Sequence, residues 1–177
     1  GKESGCTRKA DGMNERFLII NADDFGLCES MNQAICELFR LGAVTSSSIL
    51  SPAPMAMNAC RYAKEGSFPV GVHWTLFSEW KEECWMPADK EKRDSSLTVN
   101  GLLPADGGAA AKRAVSGDVT RELEAQYRFM MDAGCMPDHA DSHGGNLYGI
   151  NGRLFFLNAF RLCQKYRLPF RFARSPA

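Results

Sequence analysis

The chain has 177 residues, with 21 Lys+Arg against 21 Asp+Glu and a formal net charge of zero when histidine is neutral. That length suits one domain, and 45% hydrophobic residues supply a sizeable core, which excludes a low-complexity or wholly disordered chain. Balanced charge gives no footprint for nucleic acid or an acidic membrane surface, and no stretch nears the roughly 20 apolar residues of a spanning helix.

Residues 1–16 are polar and charged and read as a disordered arm, native or added. Phe17-Leu18-Ile19-Ile20 is a short apolar run of the kind that forms a strand buried on both faces. A helix follows, with Met31, Ile35, Leu38 and Phe39 on one face and Gly42 as its stop. Val44 to Leu50 reads as the second strand, closed by Pro52 and Pro54 ahead of a helix running to about Ala63. Ser46-Ser47-Ser48 reads as filler rather than as a nucleophile, since no Gly-x-Ser-x-Gly elbow is present. Phe68 to Trp74 is the third strand.

Residues 77–117 break the rhythm and read as an insertion at one end of a strand. They carry the charge run Lys90 to Asp94, expected to be a solvated loop, and Asn100-Gly101 between apolar residues, a two-residue hairpin signal. Alternation then resumes. Asp118 is placed to cap a helix whose Val119, Leu123, Tyr127 and Met130 share a face, with Gly134 ending it. Pro137 to Ser142 is a short strand, Phe156, Ala159, Phe160 and Cys163 mark a helical face, and Leu168 to Phe172 begins a fifth strand. About five strands alternating with four helices predict a parallel α/β fold over residues 17–177. The seven cysteines are scattered with no Cys-x-x-Cys pair, and read as small buried hydrophobes of a reducing cytoplasm. Gly1 in place of Met leaves room for a removed leader.

In parallel α/β folds the functional side chains gather past the C-terminal ends of the strands. Three such ends carry chemistry: Asn21-Ala22-Asp23-Asp24, Gly71-Val72-His73-Trp74, and His139-Ala140-Asp141-Ser142-His143. All three histidines of the chain lie there, and 139, 141 and 143 share a face if the extended backbone persists. Either aspartate alone could simply meet a helix N-terminus, but two adjacent carboxylates beside two histidines favour a catalytic metal site with open positions for water and substrate. One carboxylate can hold the cation while its neighbour acts as a base on the bound water. Trp74, Trp80 and Trp85 are candidates to stack on a ring-shaped substrate.

Leu18 to Leu27, Val44-Thr45-Ser46-Ser47-Ser48, Gly71-Val72-His73 and Pro137 to His143, in this order, resemble the YdjC-like family of carbohydrate deacetylases, which includes chitooligosaccharide deacetylases. The resemblance runs from Phe17 to about Pro176. It implies an incomplete or distorted TIM-like barrel that removes N-acetyl groups from amino sugars or oligosaccharides with one divalent ion (Zn, Mg, Mn or Co). By position, Asp24, His73 and His143 would be the ligands and Asp23 the general base on the metal-bound water. Asp141, His139, Asn21 and Trp74 would support the ligands or touch substrate. The cysteine pattern predicts a cytoplasmic protein and the balanced charge predicts no nucleic-acid or membrane partner, while the resemblance further implies a sugar substrate and a homodimer. The family continues past His143 with further histidines at alternate positions, where this chain has Gly144-Gly145-Asn146-Leu147-Tyr148, and its barrel continues beyond Ala177. Two other readings of the same residues stay open: another metal-dependent hydrolase such as a phosphoesterase, and a metal-retaining sugar-binding relative without turnover.

Overall fold

Strand and helix alternate as the hydrophobic pattern requires, in a computed structural model that describes residues 17–172. The expected arm over residues 1–16 lies outside the described residues. The order is β1 (Asn21–Phe25), α1 (Glu29–Arg40), β2 (Ser46–Ile49), α2 (Ala56–Gly66), β3 (Val70–Trp74), α3 (Gly107–Arg113), α4 (Ser116–Asp132), β4 (Ala140–Ser142) and α5 (Phe156–Tyr166). The four strands form one parallel sheet in the order β1-β2-β3-β4. One continuous core joins Phe25, Ile49, Val72 and Ala140 of the sheet to Ile35, Ala59, Leu123 and Leu162 of the helices. The faces expected on α1 and α4 supply these contacts, with Met31 and Phe39 packed at the margin; on α5 Ala159 and Cys163 are buried as expected, but Phe160 is exposed and Leu162 enters the core.

Three expectations need correction. First, the opening strand lies four residues later than its apolar run. Phe17, Leu18 and Ile19 are exposed, and pairing begins at Asn21↔Ser46. Hydrophobicity named the segment, but hydrogen bonding to β2 decides where the strand starts. Ser46 Oγ donates to Asn21 Oδ1 (2.6 Å) and Ser47 Oγ to the Ala22 carbonyl (2.6 Å), so the serine run fastens β1 instead of filling space. Second, the fifth strand contracts to a single parallel bridge, Ala140↔Phe170, extending the sheet beyond β4. Among the described residues the sheet is open, with four strands and that bridge, and it does not close into a barrel. Third, Asp118 does not cap α4, which begins two residues earlier with Val115 at its N-cap. Asp118 instead accepts from Ser96 N (2.8 Å), Arg121 (2.5 Å) and Lys92 (3.2 Å), pinning the insertion to the helix.

Within that insertion the charge run Lys90 to Asp94 is exposed loop, as expected, and the residues around it are ordered. Asn100 and Gly101 both take positive φ (52° and 75°), and Val99 and Leu102 exchange backbone hydrogen bonds of 2.8 and 3.0 Å, the expected hairpin. Glu122 is buried on α4, where it accepts from the backbone N–H groups of Ala88 and Asp89 (3.0 Å each). Burial pushes its carboxyl pKa up, against these donors. Trp85 packs with Leu27, Leu50 and Ala53 in a second small core, so the insertion folds back over the ends of β1 and β2.

Candidate metal centre

β1 ends irregularly. Its register against β2 shifts between Ala22 and Phe25, and Asp24 holds φ at 66°, in the left-handed region that a non-glycine residue rarely enters. Adjacent residues of a regular strand face opposite sides of a sheet. Here the bulge brings both carboxylates to one imidazole: Asp24 Oδ1 lies 3.2 Å and Asp23 Oδ2 4.0 Å from His73 Nε2. The turn after them is tied down by buried Asn32, whose Oδ1 accepts from Gly26 N (2.7 Å) while its Nδ2 donates to the Met55 carbonyl (3.2 Å).

His73 projects from the middle of β3 and is almost wholly buried. Its Nδ1 is bonded to the buried carboxylate of Asp141, its partner in the β3–β4 register, and Ser48 Oγ sits 3.2 Å from the same nitrogen. Burial works against a charge on His73, but Asp141 and then Asp24 outweigh it and raise the metal-free pKa to about 9. Burial would likewise raise Asp24, yet His143 and His73 hold its carboxyl well below the usual carboxylate range.

His143 arrives differently. The extended backbone stops at Ser142, and His143 opens a 3-10 turn, His143–Gly145, with Gly144 at φ 50°. Its Nδ1 lies 3.0 Å from Asp24 Oδ1, and its Nε2 lies 3.0 Å from Glu79 Oε2. Contact between β1 and the end of β4 across two intervening strands requires a curled sheet, because three flat strand spacings would separate them by about 14 Å. Phe77 and Trp85 stand beside His143, with ring centroids 5.2 and 6.5 Å away.

Asp24, His73 and His143 each offer one donor atom within 4.8 Å of the others. Donors about 2.1 Å from a cation stand about 3.0 Å apart at right angles and about 3.4 Å apart in a tetrahedron. The observed separations of 3.2 Å (Asp24 to His73) and 3.0 Å (Asp24 to His143) match that edge. Each imidazole also has a carboxylate on its far nitrogen, which leaves the near nitrogen's lone pair for a cation. The donor set therefore fits a divalent ion.

The other sequence-selected residues divide. Asn21 joins the site: its Nδ2 donates to Asp23 Oδ1 (2.7 Å) and to Ser48 Oγ (3.1 Å). Asp141 joins it through His73. His139 does not, since its Nδ1 bonds to Asp138 (2.5 Å) and its ring lies against the Gly71 backbone. Trp74 is turned away by strand alternation, fully buried, and donates from Nε1 to the Leu123 carbonyl of α4 (2.8 Å), so it is a core residue and not a substrate contact. Trp85 is buried, whereas Trp80 is 42% exposed. The positions where the resemblance calls for more histidines hold Gly145, packed on Ile150, and Leu147, in the core.

Two partners escaped the sequence reading. Glu79 sits in a charge-rich insertion and has no spacing to a motif. Arg171 follows the Phe170 bridge, and its Nη2 donates to both oxygens of Asp23 (2.9 and 2.8 Å).

A curled parallel sheet with an Asp-His-His cluster at its strand ends defines the class: a parallel α/β protein whose strand ends gather residues able to hold a metal ion. The comparisons narrow it. The YdjC-like protein family matches residues 17–177, and the chain belongs to that family. A carbohydrate deacetylase of Geobacillus stearothermophilus is 36% identical over 162 residues, covering 90% of this chain and 61% of that protein. A chitooligosaccharide deacetylase of Proteus mirabilis is 38% identical over 131 residues, covering 72% of this chain and 48% of that protein. A crystal structure from Enterococcus faecalis V583, described as a candidate cellobiose-phosphate cleavage protein, superimposes with a TM-score of 0.76 at 32% identity, over 89% of this chain and 59% of that one. The chain thus spans about three-fifths of the length of the Geobacillus relative, which is 61% covered. Among the described residues no helix is long and apolar enough to cross a membrane.

Proposed function

We propose that this protein is a metal-dependent deacetylase that hydrolyses N-acetyl groups of amino sugars or their oligosaccharides, on a sheet that forms part of a TIM-like barrel. The observation that carries the reading is the division between adjacent carboxylates: Asp24 faces both imidazoles, while Asp23 stands beside them at 4.0 Å from His73. The names of the Geobacillus and Proteus relatives support a carbohydrate amide as substrate.

Asp24 Oδ1, His73 Nε2 and His143 Nδ1 would hold one divalent ion. Such an ion polarises an amide carbonyl and acidifies a water, toward a pKa of about 7 in favourable zinc sites. Asp23 takes the proton of the attacking water on its carboxylate. Asp141 and Glu79 keep the His73 and His143 rings in the ligating tautomer. Phe77 and Trp85 give the site an apolar wall beside His143, suited to an acetyl methyl or a sugar face.

The test is acetate release from N-acetylated mono- and oligosaccharides after reconstitution with zinc, manganese, cobalt or magnesium. We expect wild-type turnover, and we expect Asp23→Asn to keep the ion while losing activity about 10²- to 10⁴-fold. Absence of acetate release with every ion, or release of phosphate from a sugar phosphate in its place, would overturn the reading. Unchanged ion content in His73→Ala/His143→Ala would remove the ligand assignment.

A further inference from the structure

The proposed base is held by a residue that no strand-end motif contains. Asp23 is 40% exposed, yet its carboxylate accepts from Asn21 Nδ2 (2.7 Å) and twice from Arg171 Nη2 (2.9 and 2.8 Å). The same Nη2 lies 2.8 Å from Asp141 Oδ2, an ion-pair contact without the alignment of a hydrogen bond. Arg171 is itself anchored. Its backbone N–H donates to the Ala140 carbonyl (2.9 Å), and the Tyr148 hydroxyl donates to its carbonyl. One guanidinium nitrogen therefore spans the concave face, joining the base on β1 to the Asp141–His73 pair on β4 and β3.

This contact bears on a difficulty in the bulged strand. Asp23 and Asp24 carry the same carboxylate, and Asp23 Oδ2 is only 0.8 Å farther from His73 Nε2 than Asp24 Oδ1 is (4.0 against 3.2 Å). A side-chain rotation of about that size would let Asp23 compete for the cation and cease to be a free base. We propose that Arg171 is the positioning residue that prevents this, holding Asp23 beside the cation position and out of its ligand set. The inference rests on the deacetylase reading for its kinetics and on the ligand cluster for its binding readout.

The experiment compares wild type, Arg171→Met, Arg171→Lys, Asp23→Asn and Asp23→Asn/Arg171→Met as full chains, by acetate-release kinetics and by calorimetric titration with Mn²⁺. For Arg171→Met we expect kcat to fall about 100-fold, the scale of an ångström-level misplacement, with KM within about threefold. Lys has the charge but not the fork, so Arg171→Lys should recover part of kcat. The double variant should be no slower than Asp23→Asn alone, because the clamp acts only through Asp23. In titration, Arg171→Met should bind Mn²⁺ more tightly than wild type, and Asp23→Asn should abolish that gain.

Retained kcat in Arg171→Met, or additive losses in the double variant, would overturn the proposal. So would Mn²⁺ binding weakened to the extent seen in His143→Ala, which would make Arg171 a support of the ligands. A gain in affinity that persists in the double variant would show only a removed positive charge and would overturn it too. Should wild type release no acetate, the deacetylase reading fails alone, and the Mn²⁺ titrations still decide the positioning role.

Discussion

The two histidines of the centre are held in opposite ways. His73 lies within β3, between a buried aspartate on one neighbouring strand and a serine on the other, so its ring is fixed by the sheet register. His143 sits on a 3-10 turn beyond β4, and the carboxylate on its far nitrogen, Glu79, is 39% exposed and comes from the insertion. One half of the site is therefore bound into the core, and the other is assembled from turns. Buried charges lose much when a partner is removed, because nothing replaces it, whereas water can substitute for an exposed one. Rigidity in this centre should thus reside on the β3–β4 side and adaptability on the insertion side.

Asp141→Ala is the strongest way to break that contrast. It removes the buried partner of both His73 and Arg171, and should cost about 3–5 kcal/mol in denaturant unfolding, with metal affinity lower by about 100-fold. A loss under about 1 kcal/mol would mean that the sheet does not depend on this pair.

The pH dependence of the metal-free protein probes the same half. His73 has a folded pKa of about 9 against an ordinary 6.5, so its stabilising proton is fully present below pH 6.5 and is lost as pH rises through 9. The thermal midpoint measured in chelator should fall across that window, and the fall should vanish in His73→Gln.

On the insertion side the effects should be smaller. Gly101→Ala places a side chain at φ 75° in the hairpin turn and should cost about 1 kcal/mol by thermal unfolding, leaving metal affinity unchanged. Glu79→Gln retains an acceptor for His143 Nε2–H and should change stability by less than about 0.5 kcal/mol and metal affinity by no more than about tenfold. If Glu79→Gln matched Asp141→Ala in either measurement, the two halves would not differ in the manner described.

Much of the frame was legible in the chain. Period-3.6 faces located α1, α4 and α5, short β-rich runs located β2 and β3, and Asn100-Gly101 marked its hairpin. Strand ends concentrate function and Asp and His bind cations together, which marked the segments; the resemblance singled out Asp24, His73 and His143, and the fold gathers these three. Where pattern misled, a non-local partner decided. Phe17–Ile20 had the composition of a strand, but β2 pairs with Asn21, Ala22 and Phe25, which follow it. Trp74 looked available to substrate, but alternation along β3 points it at α4 while His73 faces the site.

The sequence by itself determined the alternation of elements, the parallel α/β class and the three strand-end segments that supply the candidate site, because those depend on local periodicity and on residue type. Tertiary structure alone decided that two adjacent aspartates reach the same imidazole, through the bulge at Asp24 and the curl of the sheet. It also decided that Glu79 and Arg171 belong to the site, although they lie 64 residues from His143 and 148 from Asp23 along the chain. Spacing cannot encode such contacts, since side chains that distant meet only once the intervening strands have paired.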